Sequence, residues 1–261
     1  MNGDWITPDW PAPEWVRSVF STRHGGVSSA PYDSLNLGDH VGDAAAAVAH
    51  NRGIFAQALE ARPVFLQQVH GSAFVQLAPG MPDGTPADGC ISIGAGLACT
   101  IMVADCLPVL LTDTRGAAVA AAHAGWRGLA GSQGAGILDM VVPALRSAAL
   151  AAGAAGSGAG ETIAWLGPCI GPRAFEVGDE VKQAFVSHDR DAAGMFRPRS
   201  AGKWLADLQG LARLRLATLG VKRVYGNDGS DAWCTVSNPL RFFSHRRDRV
   251  SGRLAASIWL A

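Results

Sequence analysis

Apolar residues occur in short runs through the middle of the chain, at positions 101–104, 107–111 and 117–122. Runs of this length, bounded by glycine and polar residues, are typical of buried β-strands, although periodicity alone leaves a buried helix open. Cys106 stands in the break between the first two runs, and His123 follows the third. We therefore expect a thiol and an imidazole to converge where these strands break or end.

The remainder of the chain mixes further strands with amphipathic helices. β-favouring runs predict strands at 16–22, 64–69, 74–77, 162–166, 221–225, 242–244 and 257–260. Apolar spacing predicts helices at 44–59, 137–150, 179–188 and 204–219. Asp43 is the expected N-cap of the first helix. The low-complexity connector AAGAAGSGAG at 151–160 is interpreted as a surface loop, so that 1–261 forms one domain.

The composition excludes several classes of protein. Charged residues make up 17%, and 22 basic residues balance 22 acidic ones, which gives no indication of a nucleic-acid or anionic-membrane partner. No run approaches the roughly 18 apolar residues that a membrane-spanning helix needs, and the N-terminus has no basic region followed by an apolar one. We expect a soluble cytoplasmic protein. The five cysteines are odd in number and lack paired spacing, which favours reduced thiols.

A third metal-capable residue, His70, ends the strand predicted at 64–69 and directly precedes Gly71. Each of these side chains alone would more often be an ordinary core or hydrogen-bonded residue. Together, His70, Cys106 and His123 form a set of nitrogen and sulfur ligands that suits zinc, and three protein ligands are the pattern of a catalytic site. The residues that could close the site as a structural tetrahedron are Cys90, Cys99 and His245.

Two arginines stand where they could hold an anionic group. Arg23 follows a predicted strand and precedes a glycine pair, and Arg246 lies in the basic cluster His-Arg-Arg-Asp at 245–248. The planar guanidinium group matches phosphate or carboxylate. For both residues, a solvated position in a loop or charged turn is the alternative.

Five motifs resemble those of the laccase-domain family, from about Val19 to Leu260. They are Gln-Val-His-Gly at 68–71, Ala-Asp-Cys-Leu-Pro-Val at 104–109, His-Ala-Gly-Trp-Arg-Gly at 123–128, Gly-Pro-Cys-Ile-Gly at 167–171 and Phe-Ser-His-Arg-Arg-Asp at 243–248. Members of the family are also called multicopper polyphenol oxidase-like proteins, purine nucleoside phosphorylases of the laccase-domain type and peptidoglycan editing factor. The motif that contains His123 is highly specific.

The resemblance implies both a fold and a metal. It implies an α/β fold with α+β character, in which mixed β-sheets pack between helices, similar to the catalytic domain of a bacterial deamidating toxin. In the family, the residues that match His70, Cys106 and His123 bind a metal, usually zinc.

The residues help to choose among the family's conflicting names. A laccase needs a trinuclear copper cluster as well as a blue-copper site, and the chain has only seven histidines. A single copper with Met102 as a weak axial ligand stays open. The cytidine-deaminase signature is absent, because His123 is followed by Ala124 and Gly125 and not by a glutamate two residues later.

Purine nucleoside chemistry is therefore the preferred interpretation. The resemblance implies phosphorolysis of adenosine, inosine and guanosine to base and ribose 1-phosphate, together with adenosine deamination. Arg23, Arg127 and Arg246 are the candidate phosphate ligands, and Asp105 is the candidate general acid or base; we place Asp105 and Arg127 among the catalytic residues. The expected partners are small molecules, with a monomer favoured.

Four alternatives stay open at this point. They are a copper-dependent polyphenol oxidase, a hydrolase that edits cell-wall precursors, a metal-free hydrolase with Cys106 as its nucleophile, and a non-catalytic regulator with a structural zinc.

Overall fold

The computed structural model describes residues 4–153 and 160–261. Most of the connector predicted at 151–160 lies outside these residues. The strands are β1 (Val16–Phe20), β2 (Arg62–Phe65), β3 (Phe74–Gln76), β4 (Gly89–Ser92), β5 (Leu97–Val103), β6 (Leu107–Asp113), β7 (Val119–Ala124), β8 (Thr162–Leu166), β9 (Glu176–Gly178), β10 (Phe196–Ser200), β11 (Lys203–Ala206), β12 (Arg223–Gly226) and β13 (Leu254–Leu260). The helices are α1 (Ala45–Leu59), α2 (Trp126–Ala130), α3 (Ile137–Ala152), α4 (Asp179–Val186), α5 (Leu208–Thr218) and α6 (His245–Asp248).

Two mixed sheets form the centre of the fold. One has the strand order β12-β8-β6-β7-β4-β3, and the other has the order β1-β13-β5-β2. Most neighbouring strands are antiparallel, but β12 with β8, β3 with β4, and β2 with β5 are parallel. A third, antiparallel sheet has the order β10-β11-β9. The expected architecture of mixed sheets packed between helices is confirmed.

The alternation of side chains along single strands explains why the layers stack. In β6, Leu107, Val109 and Leu111 join a core shared with α3, α4 and α5, whereas Leu110 faces the four-stranded sheet. Successive residues of a strand point to opposite faces, so a strand that is apolar throughout is covered on both sides. The six-stranded sheet therefore lies between helices on one face and the second sheet on the other.

The four-stranded sheet repeats this arrangement on the other side of the molecule. In β13, Leu254, Ala256 and Ile258 face the six-stranded sheet. Ala255 and Trp259 alternate with these residues along the strand and pack in a separate core with α1. The order of layers is thus α1, four-stranded sheet, six-stranded sheet, helices. In the described residues, no helix is long and apolar enough to cross a membrane.

Most predicted elements are present within a few residues of their expected bounds, but two assignments at the ends of elements were wrong. The strand predicted at 64–69 ends at Phe65, because the following backbone turns toward the segment at 85–88: Gln67 N–H donates to Thr85. Asp43 does not cap α1; its carboxylate accepts hydrogen bonds from Ser28 and Asn36.

A predicted helix was partly wrong, and a predicted strand was wrong. The helix predicted at 204–219 begins only at Leu208, because Asp207 is its N-cap and the preceding residues pair with β9 as β11. The strand predicted at 242–244 does not form. Phe242 and Phe243 are buried without strand pairing, and Ser244 caps the short helix α6. Apolar content indicated burial correctly in both cases but did not determine the backbone conformation.

Candidate metal centre and substrate cavity

The three expected ligands come together where the two central sheets meet. His70 lies in the loop after β2, Cys106 lies between β5 and β6, and His123 lies near the end of β7. One ligand atom from each can be chosen so that all three lie within 4.8 Å of one another. Among the described residues, 4–153 and 160–261, no other group of three or more metal-capable side chains comes together.

Cys106 is placed by the turn that carries the chain from one sheet to the other. β5 belongs to the four-stranded sheet and β6 to the six-stranded sheet, so the turn at 104–106 crosses between them. Asp105 in this turn has φ of 93°, which is strained for a residue with a side chain. Its carboxylate accepts hydrogen bonds from the Thr235 hydroxyl and the Arg246 backbone N–H, both at 2.6 Å. These contacts hold the turn in place.

A buried carboxylate, Asp88, connects the two histidine ligands. Its oxygens accept backbone N–H groups from Val69 at 3.2 Å, His70 at 2.9 Å and Gly71 at 2.7 Å. Nδ1 of His123 lies 2.8 Å from the same carboxylate. A carboxylate accepts and does not donate, so Nδ1 carries the proton and Nε2 of His123 is free to bind a metal. The backbone contacts also hold His70 at φ of 60°.

Two glycines keep space around the ligands. A Cβ atom on Gly125 would lie 2.9 Å from Sγ of Cys106 and 3.0 Å from Cδ2 of His70. A Cβ atom on Gly128 would lie 2.8 Å from the carbonyl oxygen of Gly71. Such contacts are too short for a side chain, so glycine is required for the turn into α2 to pass this close.

The ionisable groups of the site shift one another. Burial would raise the pKa of the Cys106 thiol, but the charge and hydrogen bond of His123, assisted by His70, lower it to about 6. Burial would lower the pKa of His123, but Cys106 and Asp88 raise it to about 9. Burial would likewise raise the pKa of Asp88, yet hydrogen bonds from His123 and Gly71 hold it below its usual value. In metal-free protein near neutral pH, a thiolate therefore faces an imidazolium.

The donor set fits zinc. It supplies two imidazole nitrogens and a thiolate sulfur on a prearranged backbone, and zinc accepts this combination. Of the cysteines considered for closing the site, Cys90 and Cys99 are buried in the core between the sheets. His245 is exposed on the rim of the adjacent cavity. The three-residue set is the pattern of a site that leaves a position for a ligand.

A cavity of about 450 Å³ opens beside the three ligands. Its walls include His40, Gln68, His70, Met102, Asp105, Cys106, His123, Trp126, Arg127, Ile170, Phe175, Leu208, His245, Arg246 and Arg253. A larger cavity of about 720 Å³ lies between the N-terminal segment and the end of β13, and none of the three ligands lines it. The smaller cavity is therefore the candidate substrate site.

The expected anion ligands divide into two groups. Arg127 and Arg246 line the cavity. Arg127 stacks on Trp126, with Cζ 4.4 Å from the ring centre, and no acceptor in the described chain contacts its guanidinium. Arg246 uses Nη1 to donate to the Glu176 carbonyl at 3.0 Å. Both retain donors for a ligand.

Arg23 lies outside the cavity lining. Its guanidinium donates to the carbonyl oxygens of Asp33 and Pro239, both at 2.8 Å, and pairs with the Asp33 carboxylate. It also lies over the ring of Phe243. These contacts tie the N-terminal loop to the segment before α6, so we leave Arg23 out of the proposed substrate site.

Three residues of the site were missed in the sequence. Asp88 follows a loop and precedes β4, and only its position opposite His123 across the β4–β7 pairing reveals its role. His40 and Arg253 belong to none of the five motifs and were not proposed as site residues, yet both line the cavity. Arg253 directly precedes β13, and no motif or spacing in the sequence marks it.

The comparisons with known proteins agree with this geometry. Residues 17–261 match the family described as multi-copper polyphenol oxidoreductase laccase. The chain belongs to this family. A protein named purine nucleoside phosphorylase in Pseudomonas aeruginosa is 48% identical over 100% of this chain and 99% of its own length. The purine nucleoside phosphorylase YfiH of Escherichia coli is 45% identical, with 98% of each chain covered.

Solved structures of this laccase-like family share the fold. The crystal structure of a Neisseria meningitidis protein has a TM-score of 0.87 and 44% identity, and covers 98% of this chain and 99% of its own. The structure of YlmD from Geobacillus stearothermophilus has a TM-score of 0.79 and 30% identity, and the match covers 97% of this chain and 94% of YlmD. The names of the curated relatives support an enzyme.

The Asp88 carboxylate should be needed for tight metal binding. In Asp88→Asn, one acceptor becomes an NH₂ group that faces donors, so we expect zinc affinity to fall roughly 10- to 100-fold. His70→Ala, Cys106→Ala and His123→Ala should each lose most of the zinc. Competition with a chromogenic chelator measures this, and Asp9→Asn on the exposed surface is the control. Wild-type zinc affinity in Asp88→Asn would show that the histidines are oriented without it.

The Cys106 thiol should be reactive at neutral pH once metal is removed. Its pKa of about 6 means that the thiolate fraction rises with pH through 6 and levels off above about 7. The rate of alkylation by iodoacetamide, followed by peptide mass spectrometry, should show this profile and should drop when zinc is added. The four buried cysteines are internal controls and should stay unmodified. A rate that keeps rising past pH 8, as for an ordinary thiol, would contradict the lowered pKa.

Proposed function

We propose that this protein is a zinc-dependent enzyme that cleaves purine nucleosides with phosphate, releasing the base and ribose 1-phosphate, and that also deaminates adenosine. The observation that carries the proposal is the cationic cavity beside the ligand set. Arg127, Arg246 and Arg253 line the cavity with unused guanidinium donors. Among the described lining residues, Asp105 alone carries a carboxylate. Such a surplus of positive charge favours an anionic co-substrate.

The apolar part of the cavity supports a purine substrate. Trp126, Ile170, Phe175 and Leu208 line it with aromatic and aliphatic surface. Pockets for small ligands commonly combine such surface with a few polar groups that fix orientation. Aromatic faces bind nucleobases by stacking. The names of the two bacterial phosphorylases give the same substrate class for those relatives.

In phosphorolysis, a phosphate oxygen bonds to C1′ of the ribose as the bond from C1′ to the base nitrogen breaks. The base leaves with the bonding electrons and takes up a proton. We assign Arg127 and Arg246 to neutralising charge near the reacting groups, and Asp105 to the proton transfer. When bound by His70, Cys106 and His123, zinc would supply Lewis acidity that orients and polarises an oxygen of the substrate.

The oxidase and hydrolase alternatives find less support. Beyond its three-residue ligand group, the described part of the chain offers no second group of metal-capable side chains for a trinuclear cluster. The sulfur of Met102, considered as an axial copper ligand, lies 3.9 Å from Nη2 of Arg52. For Cys106 as a nucleophile, the paired thiolate and imidazolium fit, but the same atoms are the metal donors.

A product assay should distinguish these reactions. Zinc-loaded protein incubated with inosine should release hypoxanthine and ribose 1-phosphate only when phosphate is present, and adenosine should also yield inosine. Chromatography follows the products, with the Cys106→Ala variant as the control. If zinc-loaded protein forms none of them, while copper-loaded protein oxidises a phenol, the proposed function is wrong.

Asp105 should affect turnover more than stability. In Asp105→Asn, the amide oxygen can still accept from Arg246 N–H, and the amide NH₂ can donate to the Thr235 hydroxyl, so the turn is kept. We expect kcat to fall roughly 100-fold or more if the carboxylate transfers a proton. Thr235→Val, which removes a contact but keeps the carboxylate, is the matched variant. Steady-state kinetics and thermal unfolding measure the two effects. Equal losses of kcat in both variants would mean that Asp105 only positions the turn.

A further inference from the structure

The side of the cavity next to the four-stranded sheet is built from residues that the family motifs leave unassigned. His40, Met102 and Arg253 line it together with Gln68. The Gln68 side chain binds both the N–H and the carbonyl of Met102, each at 2.8 Å. Arg253 directly precedes β13, whose first residue pairs with the last residue of β5. This wall is therefore rigid and adjacent to the turn that carries Cys106.

The Arg253 side chain is anchored with part of its guanidinium unused. Nη1 donates to the carbonyl oxygens of Ser251 at 3.0 Å and Gly252 at 3.1 Å, and the backbone N–H donates to Asn36. Its stem packs so closely on Gly38 that a Cβ there would lie 2.6 Å from Cγ. In the described residues, Nε and Nη2 have no acceptor. These two nitrogens form the fork that binds phosphate or carboxylate with two parallel hydrogen bonds.

In the part of the chain that the structure describes, no carboxylate forms an ion pair with Arg253, although the charges of Cys106 and Asp105 act on it. Oδ1 of Asp39 lies 3.4 Å from Nδ1 of His40, and Oδ2 of Asp39 pairs with Nη2 of Arg52 at 3.2 Å. Both oxygens of Asp105 already accept hydrogen bonds. His40 lines the same cavity as Arg253 with its side chain largely exposed, and partial burial and then the charge of Arg253 lower its pKa. The wall thus presents a fixed cation and a neighbouring imidazole.

The aromatic part of the cavity lining comes from other segments of the chain. Trp126 and Phe175 lie there, and the guanidinium groups of Arg127 and Arg246 lie over their rings, at 4.4 and 5.6 Å from the ring centres. These two arginines are therefore spread along the surface that suits a flat base. Arg253 is the arginine of the lining that stands apart from this surface.

We infer that Arg253, with His40, forms the subsite for the phosphate co-substrate, and that the purine ring lies against Trp126 in the aromatic part of the lining. The inference rests on the proposed function and makes it more specific. It reassigns the phosphate contact from the arginines of the family motifs to a residue at the edge of the four-stranded sheet.

The test compares phosphate and nucleoside binding in matched variants of the zinc-loaded protein. Calorimetric titration with inorganic phosphate should show affinity weakened roughly 10- to 100-fold in Arg253→Gln, because a charge-assisted pair is lost. Arg253→Lys, which keeps the charge and the stem but not the fork, should be weakened less, and His40→Gln should also be weakened. Arg17→Gln, an arginine that lines the larger cavity, should bind phosphate normally. Trp126→Leu should raise the KM for inosine and leave phosphate affinity unchanged.

Two results would overturn the subsite. One is wild-type phosphate affinity in both Arg253→Gln and Arg253→Lys, with folding verified by circular dichroism. The other is a rise in the KM for inosine in Arg253→Gln that matches or exceeds the rise in the KM for phosphate in the same variant. If no nucleoside is cleaved but phosphate affinity still falls in Arg253→Gln, the subsite stands and the proposed function fails. If products form and phosphate kinetics do not change in the Arg253 variants, the function stands and the subsite fails.

Discussion

The candidate site depends on one buried carboxylate. Asp88 is fully buried, and four donors converge on it: three successive backbone N–H groups and the Nδ1 of His123. A buried anion is stabilised only when hydrogen bonds replace its water, and here they come from two separate segments of chain. Folding therefore fixes the position of the loop that carries His70 and the tautomer of His123 with the same group. Removing the anion would release both histidines at once.

The second constraint is the crossing between sheets. Because β5 and β6 lie in different sheets, the residues between them stand at the seam of the molecule, and Cys106 faces β7 from there. The strained backbone at Asp105 is held by contacts from the Thr235 and Arg246 segments, which lie more than a hundred residues later in the sequence. The cavity is thus assembled from both sheets, the α2 turn and the C-terminal quarter of the chain.

The sequence allowed the ligand set to be predicted because each of His70, Cys106 and His123 interrupts or ends an apolar run next to small residues. Strand character at 101–104 and 107–111 was equally readable, since both faces of those strands are covered. Other features have no local signal. Asp88 looks like any loop aspartate, and Arg253 like any charged residue before a strand. The start of α5 was misread because Trp204 and Leu205 fit a helical apolar face as well as they fit β11.

The conformation of His70 has a consequence for how the candidate site would take up a metal. A left-handed backbone at this residue is unfavourable for a side chain with Cβ, yet hydrogen bonds within the protein hold it. The ordering of the ligands is thus completed during folding, in contrast to small zinc domains that fold only when the ion arrives. We therefore expect the chain to keep its fold when the candidate site holds no metal. The ion bound at the proposed zinc site would then follow the metals available after synthesis.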